Sequence, residues 1–365
     1  MNPQTVWCPN VACPARGQAG QGTIGVHSQK ERRYHCRVCD TAFGARTGTI
    51  FHRRRTDEAL IITVITLISW GCPLVALEHA FGLQPQTIRD WLEAAGVHAE
   101  AVHHAQVVQP RDLGQVQADE VRVKTQCGIV WLAMAMMVST RLWLGGVIST
   151  QRDQRLITRL VQLVAACAVV APLLLVVDGF SSYIEAFRRA FRTREHAGGR
   201  GAPRKVPWPD LSIGQVVKQY AGKRVVGVTR RLVHGTTATT RQLLAQTPGC
   251  RVLNTAYIER LNGTFRARLA PLARRTQHLV HRKELLHTGM YLVGTLYNFC
   301  TVHASLALVS GEQRTPAMAA GITDHCWSVQ ELLWHRVPPP RWAPPKRRGR
   351  RSKAMQELIA RWAPA

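Results

Sequence analysis

The sequence predicts an α/β protein. A mixed-sheet domain with acidic residues at strand ends is preceded by a small cysteine-built module and a helical module. Three observations carry that prediction. Four cysteines stand in two close pairs within the first 39 residues. From Val107 onward, strand-like stretches alternate with one stretch of helical length. The apolar run Leu173–Val177 ends in a carboxylate, Asp178, bounded by Pro172 and Gly179. Composition narrows the partners: 48 Lys and Arg against 22 Asp and Glu give a net charge of +26 in 365 residues. Such an excess points to a polyanion, DNA or RNA first, with a membrane surface as the alternative. Leu163–Val177 is too short to span a bilayer and is broken at Pro172. The start "MNPQTVWCPN" lacks a signal peptide's charged and apolar regions. The expected location is therefore cytoplasmic, with no membrane association, where cysteines stay reduced or bind metal.

"CPNVAC" supplies Cys8 and Cys13, and "CRVC" supplies Cys36 and Cys39. Paired cysteines on two knuckles can wrap one structural Zn²⁺, which folds a segment too polar and glycine-rich to pack alone. Residues 1–50 are thus expected to form a zinc ribbon. The other cysteines are scattered singly and read as small core residues. Residues 56–98 read as helices: "TDEALIITVITLISWG" opens at Thr56 and stops at Gly71, and two shorter helices flank Gly82 and Leu83. Helix, glycine turn, helix is the helix-turn-helix arrangement, whose second helix reads DNA. Gln86, Thr87 and Arg89 would then face the DNA, with Ile88 and Trp91 packing inward.

Residues 107–310 are expected to form the third domain. "GQVQADEVRVKT" alternates, "GIVWLAMAMMVS" is nearly all apolar, and "RLWLGGVIST" follows. A helix over "RDQRLITRLVQLVAACAVV" then leads to the buried strand "LLLVVD". Three strands, a crossover helix and a buried strand predict a ribonuclease-H-like mixed sheet. In "QADEVRV", Asp119 shares its side of the strand with Val121 and Val123, and Glu120 shares the other side with Arg122 and Lys124. Asp119 is expected inward and Glu120 on the wetter face. If the two strands are neighbours, Asp119 and Asp178 meet at one sheet edge, where mutual repulsion favours a divalent cation. A single acid could instead form a salt bridge to one of the many arginines. Glu259 stands alone among basic residues in a helix over about 255–271. Asn262 and Arg266 share its face.

This order resembles the DDE transposases of bacterial insertion sequences: zinc ribbon, helix-turn-helix, then Asp, Asp and Glu on a ribonuclease-H-like core. The stretches "QADEV", "VVDGFSSYIEAF", "NTAYIERLNGTFRARL" and "YNFCTVHASL" carry the resemblance, which covers about residues 8–306. It implies Asp119, Asp178 and Glu259 as catalytic triad and ligands of two Mg²⁺ (or Mn²⁺) ions. It also implies double-stranded DNA as partner (element ends and target) and a homo-oligomer. Asn262, Arg266, Arg274 and Arg275 would contact DNA. The 80 residues between Asp178 and Glu259 suggest an insert at about 192–250. Ser181, Ser182 and Tyr183 are expected to pack or hold phosphate, and His278, His281 and His303 fall outside the catalytic set. Residues 336–365, proline-rich and basic, read as a flexible arm gripping phosphates. A transcription regulator built on the N-terminal modules, or a structure-selective nuclease, are the rival functions.

Overall fold

The computed structural model describes residues 1–126, 128–195, 202–247, 251–273, 282–346 and 349–363, leaving out the side chains of 308–310. The chain forms two compact units, one from Met1–Glu58 with Leu333–Ala365, the other Ala59–Leu332.

In the first unit, β1 (Ile24–Ser28), β2 (Arg33–Cys36) and β3 (Ala42–Gly44) make a three-stranded antiparallel sheet. Its small core gathers Cys8, Cys13, Cys36, Ile24, Tyr34 and Phe43, joined by Trp342 and Trp362 from the other end of the chain. The tail departs from expectation. Residues Lys353–Trp362 form a helix, capped by the Ser352 hydroxyl accepting from the Met355 N–H. Met355, Leu358, Ile359 and Trp362 recur at helical spacing on one face and pack against the cysteine core. Gln18 donates to the Trp362 carbonyl (3.1 Å), and Arg336 donates to that of Ala45. Apolar burial outweighs the surrounding charge, so this segment is part of a folded unit.

The second unit opens at Ala59, within α1 (Glu58–Ser69), and continues with α2 (Leu74–Phe81) and α3 (Pro85–Gln106). Gly82 ends α2 in the left-handed region, at φ 61°, where glycine is strain-free. Helix α3 runs well past the residue-98 boundary the sequence suggests. One face of its C-terminal half, Gly96, Ala99, Val102 and His103, is buried, and it crosses the later helix so closely that a Cβ on Gly96 would fall 2.5 Å from Thr288. The helical block is therefore continuous with the sheet unit.

Then come β4 (Gln115–Thr125), β5 (Gly128–Met137), β6 (Trp143–Ser149), α4 (Gln154–Ala166), β7 (Leu173–Val177) and α5 (Ser182–Ala190). A small ladder of β8 (Arg192–Glu195) and β9 (Arg204–Pro207) follows. After it come β10 (Leu211–Ala221), β11 (Arg224–His234), α6 (Thr237–Ala245), α7 (Ala256–Arg268) and α8 (Lys283–Phe299). The main sheet has six strands in the order β11-β10-β7-β4-β5-β6. β7 is parallel to both β4 and β10, and the remaining pairs are antiparallel. The protein is thus mixed α/β, with a sheet compatible with the ribonuclease-H-like core expected. β7 is central and buried along its whole length, which is why it reads as an unbroken aliphatic run. The expected insert at 192–250 differs: β10 and β11 within it are strands of the main sheet. One face of the sheet packs on α7 and α8 through Val121, Val123, Met134, Trp143, Ile258, Phe265 and Met290. Among the described residues, no helix is long and apolar enough to cross a membrane.

Candidate active-site cleft and metal centres

Strand register brings the acids together. β4 and β7 run parallel with Gln117 opposite Val176, so two residues further along each strand Asp119 comes beside Asp178. Asp119, Glu120 and Asp178 each offer a carboxylate oxygen within 4.8 Å of the others. Glu259 is not in that tight group. It lines the same cleft, of about 740 Å³, with Asp119, Asp178, Arg152, Lys218, Tyr220, Thr255, Asn262 and Arg266.

Each acid has its own environment. Burial, reinforced by the neighbouring Glu120 and Asp178 carboxylates, pushes Asp119 up to about 7. Asn262 donates to its Oδ2 at 2.8 Å. Asp178 accepts from the Phe180 N–H at Oδ1 (2.9 Å) and from Arg152 at Oδ2 (3.1 Å). Burial works to raise Glu259, but hydrogen bonds from Lys218 (2.5 Å) and Thr255 (2.6 Å) outweigh it and hold the carboxyl below its ordinary value.

Glu120 corrects the sequence reading. It does face the side opposite Asp119, yet its side chain has 0% exposure and is paired with Arg152. Burial and Asp178 raise its pKa, against the lowering effect of Tyr183 and Arg152. Arg152 lies 32 residues downstream in the turn before α4, and this partner removes Glu120 from the wet face on which Arg122 remains. Tyr183 is wholly buried, its hydroxyl held well above its ordinary pKa by burial and by Glu120.

Several positioning residues lay outside the sequence reading. Gln117, two residues before Asp119 and on the same face, is fully buried. Its Oε1 accepts from the Tyr257 and Ile258 N–H groups (3.1 and 3.0 Å), and its amide donates to Asn254 O (2.6 Å). It thereby caps the start of α7 and ties Glu259's helix to Asp119's strand. A glutamine in the core-facing series was the available signal. Arg152, Lys218 and Thr255 gave none.

Asn262, expected at the DNA, is 1% exposed and contacts Asp119 instead. Arg266 lines the cleft. On α3, Gln86 and Arg89 are exposed and Thr87 half-buried, while Ile88 and Trp91 are buried as expected. Gln86 donates to Asp90 at 2.7 Å. Arg274, Arg275, His278 and His281 lie outside the described residues. His303 packs on the Tyr297 ring at 4.5 Å, and burial lowers its pKa to about 4.

The second centre is Cys8, Cys13, Cys36 and Cys39, whose sulfurs lie within 4.8 Å of one another. Cys8–Cys39 and Cys13–Cys36 are separated by 3.5 and 3.9 Å. Four thiolates about 2.3 Å from one tetrahedral Zn²⁺ sit about 3.8 Å apart, so the four-sulfur set fits such an ion. Burial pushes the Cys8 thiol well up and the Cys13 thiol to about 12. For Cys39 burial also raises, but hydrogen bonds with Thr41 and Asn10 prevail and bring it to about 6. In the cleft, the hard oxygen donors and their mutual repulsion fit Mg²⁺ or Mn²⁺. No family model and no curated protein matches this chain.

Proposed function

We propose that the protein is a metal-dependent DNA transposase that nicks the ends of a mobile element and joins them to target DNA. One observation carries the reading: Asp119, Asp178 and Glu259 line a single cleft that Arg152, Lys218 and Arg266 also line, in a chain of net charge +26. On this reading the sheet unit is a ribonuclease-H-like core, and Asp119, Asp178 and Glu259 hold two Mg²⁺ or Mn²⁺ ions. Such ions supply activation of water or a DNA 3′-hydroxyl and stabilisation of the leaving oxygen in an in-line displacement. The chain's own residues hold the geometry. Asn262 orients Asp119, Thr255 and Lys218 hold Glu259, and Arg266 meets the phosphate backbone. Tyr183 is buried and protonated, which supports a route without a covalent protein–DNA intermediate.

The four cysteines hold structural Zn²⁺ in a ribbon. The α2–α3 pair acts as a helix-turn-helix presenting Gln86, Thr87 and Arg89 to double-stranded DNA. Holding two element ends calls for a homo-oligomer. Residues 1–58 and 333–365 carry eighteen Lys and Arg against five acids, suited to phosphate contacts that give salt-sensitive affinity with little sequence choice. The test is a plasmid bearing the DNA that flanks the gene, incubated with protein and Mg²⁺. Nicking followed by joining of the released 3′ ends supports the proposal. Nicking without joining makes the protein a nuclease, and binding without nicking makes it a regulator.

A further inference from the structure

In that reading Glu120 has no task and Arg152 only lines the cleft, yet their arrangement is costly. A carboxylate with no exposed surface needs a partner. Glu120 Oε2 accepts from Arg152 Nε (3.2 Å) and Nη2 (2.9 Å), and the same Nη2 reaches Asp178 Oδ2 at 3.1 Å. The guanidinium lies against Phe180, 4.3 Å from its ring centre, and faces Trp131 at 5.3 Å. Asp178 is therefore fixed at both oxygens, one by a backbone N–H and one by Arg152. A carboxylate oxygen that accepts one hydrogen bond keeps a further lone pair for a cation.

We infer that Arg152, anchored by the buried Glu120, is a positioning residue that orients Asp178 as a metal ligand and stays in place when the cation binds. The inference rests on the reading of Asp178 as a ligand. Glu120 as a direct ligand is the competing assignment, since its carboxylate belongs to the same tight group and its Oε1 has no hydrogen-bond partner among the described residues. Its place on the strand argues otherwise. It projects to the face opposite Asp119, beside the buried Tyr183, where Arg152 already supplies the positive charge.

The test is Mn²⁺ binding to the full-length, zinc-loaded protein, read by the electron paramagnetic resonance of free and bound Mn²⁺. Partners of metal ligands are worth about 10- to 100-fold in affinity. Arg152→Gln and Glu120→Gln should each weaken binding by that much. The double variant should be no weaker than the singles, because the two residues act as one unit. A purely structural role would lower the melting temperature but leave the Mn²⁺ affinity of the folded protein unchanged. Should Glu120→Gln fail to fold, Arg152→Gln carries the test, its side chain being one-third exposed. Unchanged or tighter binding in Arg152→Gln overturns the inference, as does a loss confined to Glu120→Gln. If Asp178→Asn binds Mn²⁺ like wild type, the ligand reading itself fails and takes this inference with it.

Discussion

Asp119 is the acid under greatest strain, and replacing it with asparagine should stabilise the metal-free protein. Its carboxyl is held at about 7 against an ordinary 3.8 by burial, Glu120 and Asp178. Between those values the unfolded chain has released the proton while the folded chain keeps it. Stability therefore falls as pH rises through the interval, and the penalty is complete above about pH 7. At about 1.36 kcal/mol per pH unit, the interval gives an upper bound of about 4 kcal/mol. Shared titration among the three clustered acids lowers this to about 2–4 kcal/mol. The substituted amide carries no such penalty, and its carbonyl oxygen can still accept from the Asn262 amide, which donates to Asp119 at 2.8 Å. Urea unfolding without added divalent ions should make Asp119→Asn the more stable protein at pH 8 and equal to wild type near pH 4. Adding Mg²⁺ should stabilise wild type more than the variant, since the ion binds only the folded acidic site. A variant less stable than wild type at pH 8, or a difference independent of pH, would refute the reasoning. Asp178→Asn should gain less, because Asp178 already has Arg152 and the Phe180 N–H as partners.

Other outcomes follow from the same geometry. Cys36→Ser, or zinc chelation, should unfold the first unit and weaken DNA binding while the circular dichroism of the sheet unit persists. Metal analysis finding no zinc in the purified protein would count against the site. Trp362→Ala should cost about 3 kcal/mol in the unfolding of the first unit and speed zinc release to a chelator, because Trp362 is buried in the cysteine core. A flexible arm would show neither effect. DNA affinity should fall steeply between about 50 and 200 mM salt as counterions are released. A flat salt response would contradict phosphate-dominated binding.

The legible parts of this protein were those carried by local pattern. Two cysteine pairs, an aliphatic run ending at Asp178 and the inward side of Asp119 are each readable within a few residues, and the structure gathers the four cysteines in one cluster and the two aspartates in another. What stayed hidden depends on partners far along the chain. Glu120 looked exposed because Arg122 and Lys124 share its side, and its partner Arg152 sits on another element. Gln117 reaches across to α7, about 140 residues on. β10 falls within the insert that the spacing of Asp178 and Glu259 suggests, because nothing local shows that it pairs with β7. The C-terminal helix was partly legible. Met355, Leu358, Ile359 and Trp362 have helical spacing, but the basic and proline-rich sequence before them has the composition of a flexible arm.

The central claim is that Asp119, Asp178 and Glu259 share bound divalent cations. Anomalous diffraction from crystals of the protein soaked in Mn²⁺ tests it most directly. Anomalous peaks are expected in the cleft within coordination distance of all three carboxylates, with Glu120 still paired to Arg152. Peaks that leave out Glu259, peaks ligated by Glu120 in place of Asp178, or a cleft without peaks in crystals that hold zinc at the four cysteines would contradict it.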